Sequence, residues 1–64
     1  MKKVLMIFRS SRTWVFYEAH EKQYSDLYTE KQLLSYGKKH ADYVIKSGFL
    51  PDDAVCVHIE VREG

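Results

Sequence analysis

Three groups of residues in this sequence have types and spacings that can do chemistry. Cys56-x-His58-x-Glu60 sets a thiol, an imidazole and a carboxylate at alternate positions. Alternate residues of an extended strand share a face, so the three can approach one metal ion, or the thiol and imidazole can form a nucleophile pair. Any alternating strand produces this coincidence, however, and no further ligand can be assigned elsewhere. An ordinary polar sheet face accounts for the spacing, and we expect neither a metal nor a catalytic residue there.

Arg9 and Arg12 bracket Ser10 and Ser11, and guanidinium groups with hydroxyls can hold phosphate. Trp14 and Phe16 follow and can stack on bases, while Lys38 and Lys39 can track a phosphate backbone. This is the best case for single-stranded nucleic acid. Against it, a net charge of +1 is not that of a basic nucleic-acid tail, and nothing matches an RRM signature. Tyr36, His40 and Tyr43 recur at helical spacing. They read either as packing at a sheet boundary or as a binding stripe, since tyrosine offers large contact area with few rotors to freeze. The sequence has no glycine-rich phosphate loop, no Ser-His-Asp constellation and no plausible carboxylate pair. Its 64 residues leave little room for a concave pocket, so the expectation is a protein that is not an enzyme and needs no cofactor.

The elements that position these groups belong to one domain, residues 1–64, because the chain is too short for two. An apolar fraction of 45% argues for a real core. A single cysteine excludes an internal disulfide. The longest apolar run, Val4 to Phe8, is too short to span a bilayer or to serve as a signal peptide core, so the expected location is cytoplasmic. Charge is laid out in blocks. Residues 1–12 and 31–48 are net basic, and residues 13–30 and 49–64 are net acidic. Such blocks suit pairing between elements, or a partner of matching pattern.

Lys3 to Arg9 reads as a first strand, Arg9 to Arg12 as a hairpin loop, and Thr13 to His20 as a second strand rich in β-branched and aromatic residues. Lys22 to Tyr28 is polar and reads as loop. Thr29 and Gln32 fit a capping box, Tyr28 and Leu33 a hydrophobic staple, Gly48 a left-handed C′ residue and Phe49 the apolar residue that folds back on the last turn. Pro51 blocks continuation. A helix is therefore expected over about residues 30–47. Leu33, Leu34, Gly37, Ala41, Val44 and Ile45 fall on one arc, and the small residues Gly37 and Ala41 let the axis lie close to a sheet. Ala54 to Arg62 alternates cleanly, with Val55, Val57, Ile59 and Val61 on one face and Cys56, His58, Glu60 and Arg62 on the other. The fold class is α+β: a three-stranded antiparallel sheet in the order 2-1-3, one helix on one face, ββαβ.

One helix covers one face. The first two strands carry large apolar residues on both, so the open face should show several of them, among them Trp14 and Phe16. Lone monomers rarely leave such a patch bare. A protein partner, stacked bases, a second copy, or the Lys22–Tyr28 segment folding over it with Tyr24 and Leu27 would each close it. The residues expected to bind protein are Trp14, Phe16, His58, Glu60 and Arg62, with Tyr36 and Tyr43 of the helix.

The hairpin Lys3 to His20, the helix opening at Thr29-Glu30, its end at Gly48-Phe49 and the strand around Val55-Cys56-Val57 together resemble small phage proteins made early in infection. Among these are the short RNA-polymerase inhibitors of podoviral phages and the small antitoxin of T-even phages. The resemblance is one of architecture over most of the chain and rests on no specific motif. It implies a non-enzymatic blocker that binds one host protein. It carries over no contact residue. A homodimeric toxin–antitoxin or regulatory component that uses the open face for self-association is a separate alternative.

Overall fold

The computed structural model describes residues 1–63. Its elements run β1 (Lys2–Ser10), β2 (Phe16–Tyr24), α1 (Glu30–Lys46) and β3 (Ala54–Glu63). β1 is central and pairs antiparallel with both neighbours, giving the expected order β2-β1-β3. Alternation along β1 decides which face is covered. Val4, Met6 and Phe8 are fully buried beneath the helix and Ser10 is fully buried at the strand's end, whereas Leu5 and Ile7 lie on the open face and are half-buried. Leu33, Ala41 and Val44 of α1 complete the core, with Ile59 and Val61 of β3 packed at its margin.

The helix begins where its capping chemistry places it. The Thr29 hydroxyl accepts from the Gln32 N–H at 3.2 Å, and the Thr29 N–H donates to Gln32 Oε1 at 2.9 Å. Gln32 thus satisfies the cap in return, closing the capping box. At the other end the Ser47 N–H donates to the Tyr43 carbonyl, and Gly48 adopts φ 81°, the left-handed conformation that glycine alone takes without steric cost. One expectation at these ends fails. Phe49 does not fold back: it is 74% exposed, and Leu50 reaches the core instead. Tyr28, just before the N-cap, meets Tyr24 and Tyr36 edge-on.

β2 is displaced relative to the expected Thr13–His20. It starts at Phe16, because Trp14 N–H donates to the Ser10 carbonyl and Ser10 N–H to the Val15 carbonyl, so the connection between the strands is longer than expected. It continues to Tyr24, because β1 already begins at Lys2 and supplies partners for Lys22, Gln23 and Tyr24. Pairing overrides the poor strand propensity of Lys22 and Gln23, whose side chains stay exposed, while Tyr24 packs against the core. The Lys22–Tyr28 segment therefore does not cover the open face. Tyr24 sits on the helix side, opposite Lys2, and Leu27 is 92% exposed.

Two β-bulges flank the same stretch of β1. On the β2 side the register steps from Phe8–Glu18 to Arg9–Phe16, leaving Tyr17 unopposed. On the β3 side it steps from Ile7–His58 to Phe8–Cys56, leaving Val57 unopposed. Directly opposed residues share a face, so each extra residue reverses the alternation beyond it. Cys56 consequently joins Phe8 on the helix side, while His58, Glu60 and Arg62 stay on the open face opposite Ile7, Leu5 and Lys3. The same effect on β2 leaves Phe16, Ala19, Glu21 and Gln23 on the open face. The open face is thus less apolar than expected: Leu5 and Ile7 form a narrow stripe, with one aromatic residue, Phe16, at its end.

Candidate functional site

Cys56, His58 and Glu60 do not form a cluster. The bulge at Val57 turns Cys56 under the helix, where its thiol donates to the His58 carbonyl at 3.5 Å. Burial pushes the Cys56 thiol above its ordinary pKa, which keeps it protonated and a poor nucleophile. His58 lies 3.5 Å from Glu60, and Arg62 donates to the same carboxylate. That hydrogen bond holds the Glu60 carboxyl below its ordinary range. The three form an exposed, charge-compensated row on the open face. Among the described residues no three His, Cys, Asp or Glu side chains are placed to hold a metal ion.

The hairpin end is more strongly built. Ser10, the last residue of β1, is fully buried and donates to Asp53 Oδ2. Its oxygen also accepts from the N–H groups of Arg12 and Thr13 at 3.1 and 3.0 Å. Tyr17, the bulge residue of β2, donates to Asp53 Oδ1 at 2.6 Å. Arg12 Nε lies 3.4 Å from Oδ2, and Ser11 N–H donates to the Asp53 carbonyl at 2.8 Å. One carboxylate, from the turn before β3, therefore fastens the end of β1, the connecting loop and the start of β2. The Ser10 and Tyr17 hydrogen bonds hold the Asp53 carboxyl below its ordinary range, and the bond to Asp53 raises the Tyr17 phenol.

This clamp presents Trp14, Val15 and Phe16, which are 58%, 55% and 51% exposed. Trp14 stands at φ 64°, the only positive φ among the non-glycine residues described. For a bulky residue that conformation is a true outlier. Its N–H is held by Ser10, and Arg9 donates to its carbonyl at 2.8 Å. The Arg9 guanidinium also lies 6.0 Å from the Phe16 ring centre, within cation–π range. Both hairpin arginines are therefore engaged in building the tip.

The remaining expected residues are dispersed. Tyr36 packs beside Tyr24 in the helix layer, and Tyr43 stacks on His40 while staying 65% exposed, so neither shares the open face with His58, Glu60 and Arg62. Lys38 borders a groove of about 290 Å³ between α1 and β3, lined also by Ala41, Asp42, Ile45, Cys56 and Ile59. Lys39 borders a different one, of about 420 Å³, between α1 and β2. Arg9, Arg12, Lys38 and Lys39 consequently form no common phosphate-tracking surface. Sequence reasoning missed Asp53, Ser10 and Tyr17 as one unit. Their only signal was a Pro51-Asp52-Asp53 turn whose acid could reach the hairpin.

No family model, curated protein or solved structure matches this chain. No helix among the described residues is long and apolar enough to cross a membrane.

Proposed function

We propose that this chain is a small non-enzymatic protein-binding module. It acts in the cytoplasm by occupying the surface of a partner protein, as the phage inhibitors it resembles imply. The observation that carries this reading is Trp14, an exposed indole kept in a costly backbone conformation by a buried serine and an arginine. Strain of this kind persists only where the surroundings over-determine it, and it gathers at functional positions. A rigid, half-exposed tryptophan with Val15, Phe16 and Arg9 around it has the composition of a binding hot spot, in which a few aromatic and arginine anchors supply most of the affinity. From there the open face continues along His58, Glu60 and Arg62, whose charges would set register and orientation rather than affinity.

The test is capture of partners from bacterial lysate on the tagged chain, with Trp14→Ala and Arg62→Glu beside it. One stoichiometric protein should be retained by the wild type and lost or weakened in both variants, each of which should still melt cooperatively. Identical capture by all three chains would refute the proposal. A dimer in light scattering that Trp14→Ala abolishes would assign the same surface to self-association instead.

A further inference from the structure

The groove between β2 and α1 is chemically unlike the rest of the surface. Its lining is Lys22 and Tyr24 from β2, Tyr28 from the following loop, and Tyr36, Lys39 and His40 from the helix. It exists because α1 lies over β1 and β3 and leaves the inner face of β2 uncovered. Tyr24 and Tyr36 stack at 6.1 Å with 23° between their planes, and Tyr28 stands nearly perpendicular to both. Lys2 donates to the Tyr28 carbonyl at 2.9 Å and fixes that loop residue in place. Lys22 Nζ lies 5.5 Å from the Tyr24 ring centre. No carboxylate lines the groove, and among the described residues neither Lys22 nor Lys39 has a carboxylate within ion-pair distance.

We infer that this groove binds single-stranded nucleic acid, with a base on the tyrosine rings and flanking phosphates on Lys22 and Lys39. Aromatic platforms beside backbone-tracking cations are the recurring solution for unpaired strands, because every base has a π-face and every linkage a charge. A phosphopeptide fits less well, since phosphate-motif readers use the bidentate fork of arginine and this groove contains none. A duplex hides its base faces and cannot use the rings. His40 reports on the same field. Burial first, then Lys22 and His20, lower its pKa, so at neutral pH it is uncharged beside two free lysines. The carboxylate of β2 that shares this face, Glu18, lies 3.0 Å from His20. A bound phosphate would offset the lysine charge and raise His40.

The groove and Trp14 are separable. Five residues of β2 lie between Phe16 and Lys22, a separation of about 20 Å at the usual rise. The experiment is fluorescence anisotropy with labelled oligothymidylate and oligouridylate of about eight nucleotides, within the range of single-strand site sizes. Two phosphate contacts predict affinity falling about sevenfold between 50 and 200 mM salt. Tyr36→Leu, which keeps apolar bulk, should weaken binding about fivefold or more through lost stacking. Lys39→Glu, on the exposed helix surface, should weaken it and flatten the salt dependence, whereas Trp14→Ala should leave it unchanged. The His40 imidazole should titrate at higher pH in the complex. Preference for one of the two oligonucleotides would support the site, and oligodeoxyuridylate would then separate the sugar from the thymine methyl. Absence of binding to both, binding unchanged in Tyr36→Leu and Lys39→Glu, or equal binding of polyphosphate lacking bases would overturn the inference.

Discussion

Gly37 packs against Val4 with no room for a β-carbon between them. A β-carbon on Gly37 would lie 2.8 Å from Val4 Cγ1 and 3.1 Å from Ile59 Cγ2. Real β-carbons essentially never approach other atoms to 2.8 Å, so fully buried Val4 must shift within a close-packed core to admit one. Gly37→Ala should therefore destabilise, although alanine is the better helix former by about 1 kcal/mol. Overpacking of this kind costs about 1–3 kcal/mol before that gain is subtracted. Urea denaturation should show a lowered midpoint with an unchanged slope. Val4→Ala in the same chain should recover part of the loss, a coupling the double-mutant cycle measures directly.

Trp14→Gly separates stability from binding. A left-handed conformation costs a non-glycine residue about 1–2 kcal/mol, and Trp14 adopts it while more than half exposed. Glycine removes that strain and returns about 0.5–1 kcal/mol of it as extra freedom in the unfolded chain. The thermal midpoint should stay level or rise by a few degrees. Partner binding should be lost, the signature of a residue retained for contact at the expense of stability. A clear fall in the midpoint would show that the indole is structural.

How much of this was legible in the sequence follows from where information is local. The helix was legible because Thr29, Gln32 and Gly48 act within a turn of themselves. The sheet order was legible because a hairpin and one crossover helix leave few arrangements. The two bulges were not, since an extra residue exists only relative to a partner strand. Nothing in the even alternation of Val55, Val57, Ile59 and Val61 marks Val57 as unopposed. That one step moved Cys56 away from His58 and dissolved the apparent metal or nucleophile cluster. The β2 groove was hidden for a related reason. Lys22 and Tyr24 look like loop residues until β1 is known to extend to Lys2 and pair with them.

Asp53 should make the hairpin end sensitive to acid. Its folded pKa lies below the ordinary value because Ser10 and Tyr17 donate to it, so the unfolded chain binds more protons at low pH. Its contribution is complete above the ordinary carboxylate pKa of about 4 and is lost as pH falls through the lower folded value. Tyr17 works in the opposite sense: its raised phenol contributes below about pH 10 and loses that contribution at higher pH. Urea midpoints of the wild type should fall at both extremes, while Asp53→Asn should start lower at neutral pH and change less toward acid. An acid limb of equal depth in Asp53→Asn would assign that sensitivity to other carboxylates.

Cys56 tests the bulge itself. With even alternation the thiol would stand on the open face beside His58 and Glu60, where an imidazole could assist its ionisation. With Val57 unopposed it lies opposite Phe8 at the margin of the core, and burial raises its pKa. Thiolate is the species that reacts with iodoacetamide. Alkylation of the folded chain at mildly alkaline pH should therefore run severalfold slower than in urea. It should not change when His58→Ala removes the imidazole. Rapid alkylation that His58→Ala slows would place the thiol on the open face and show that β3 has no bulge at Val57.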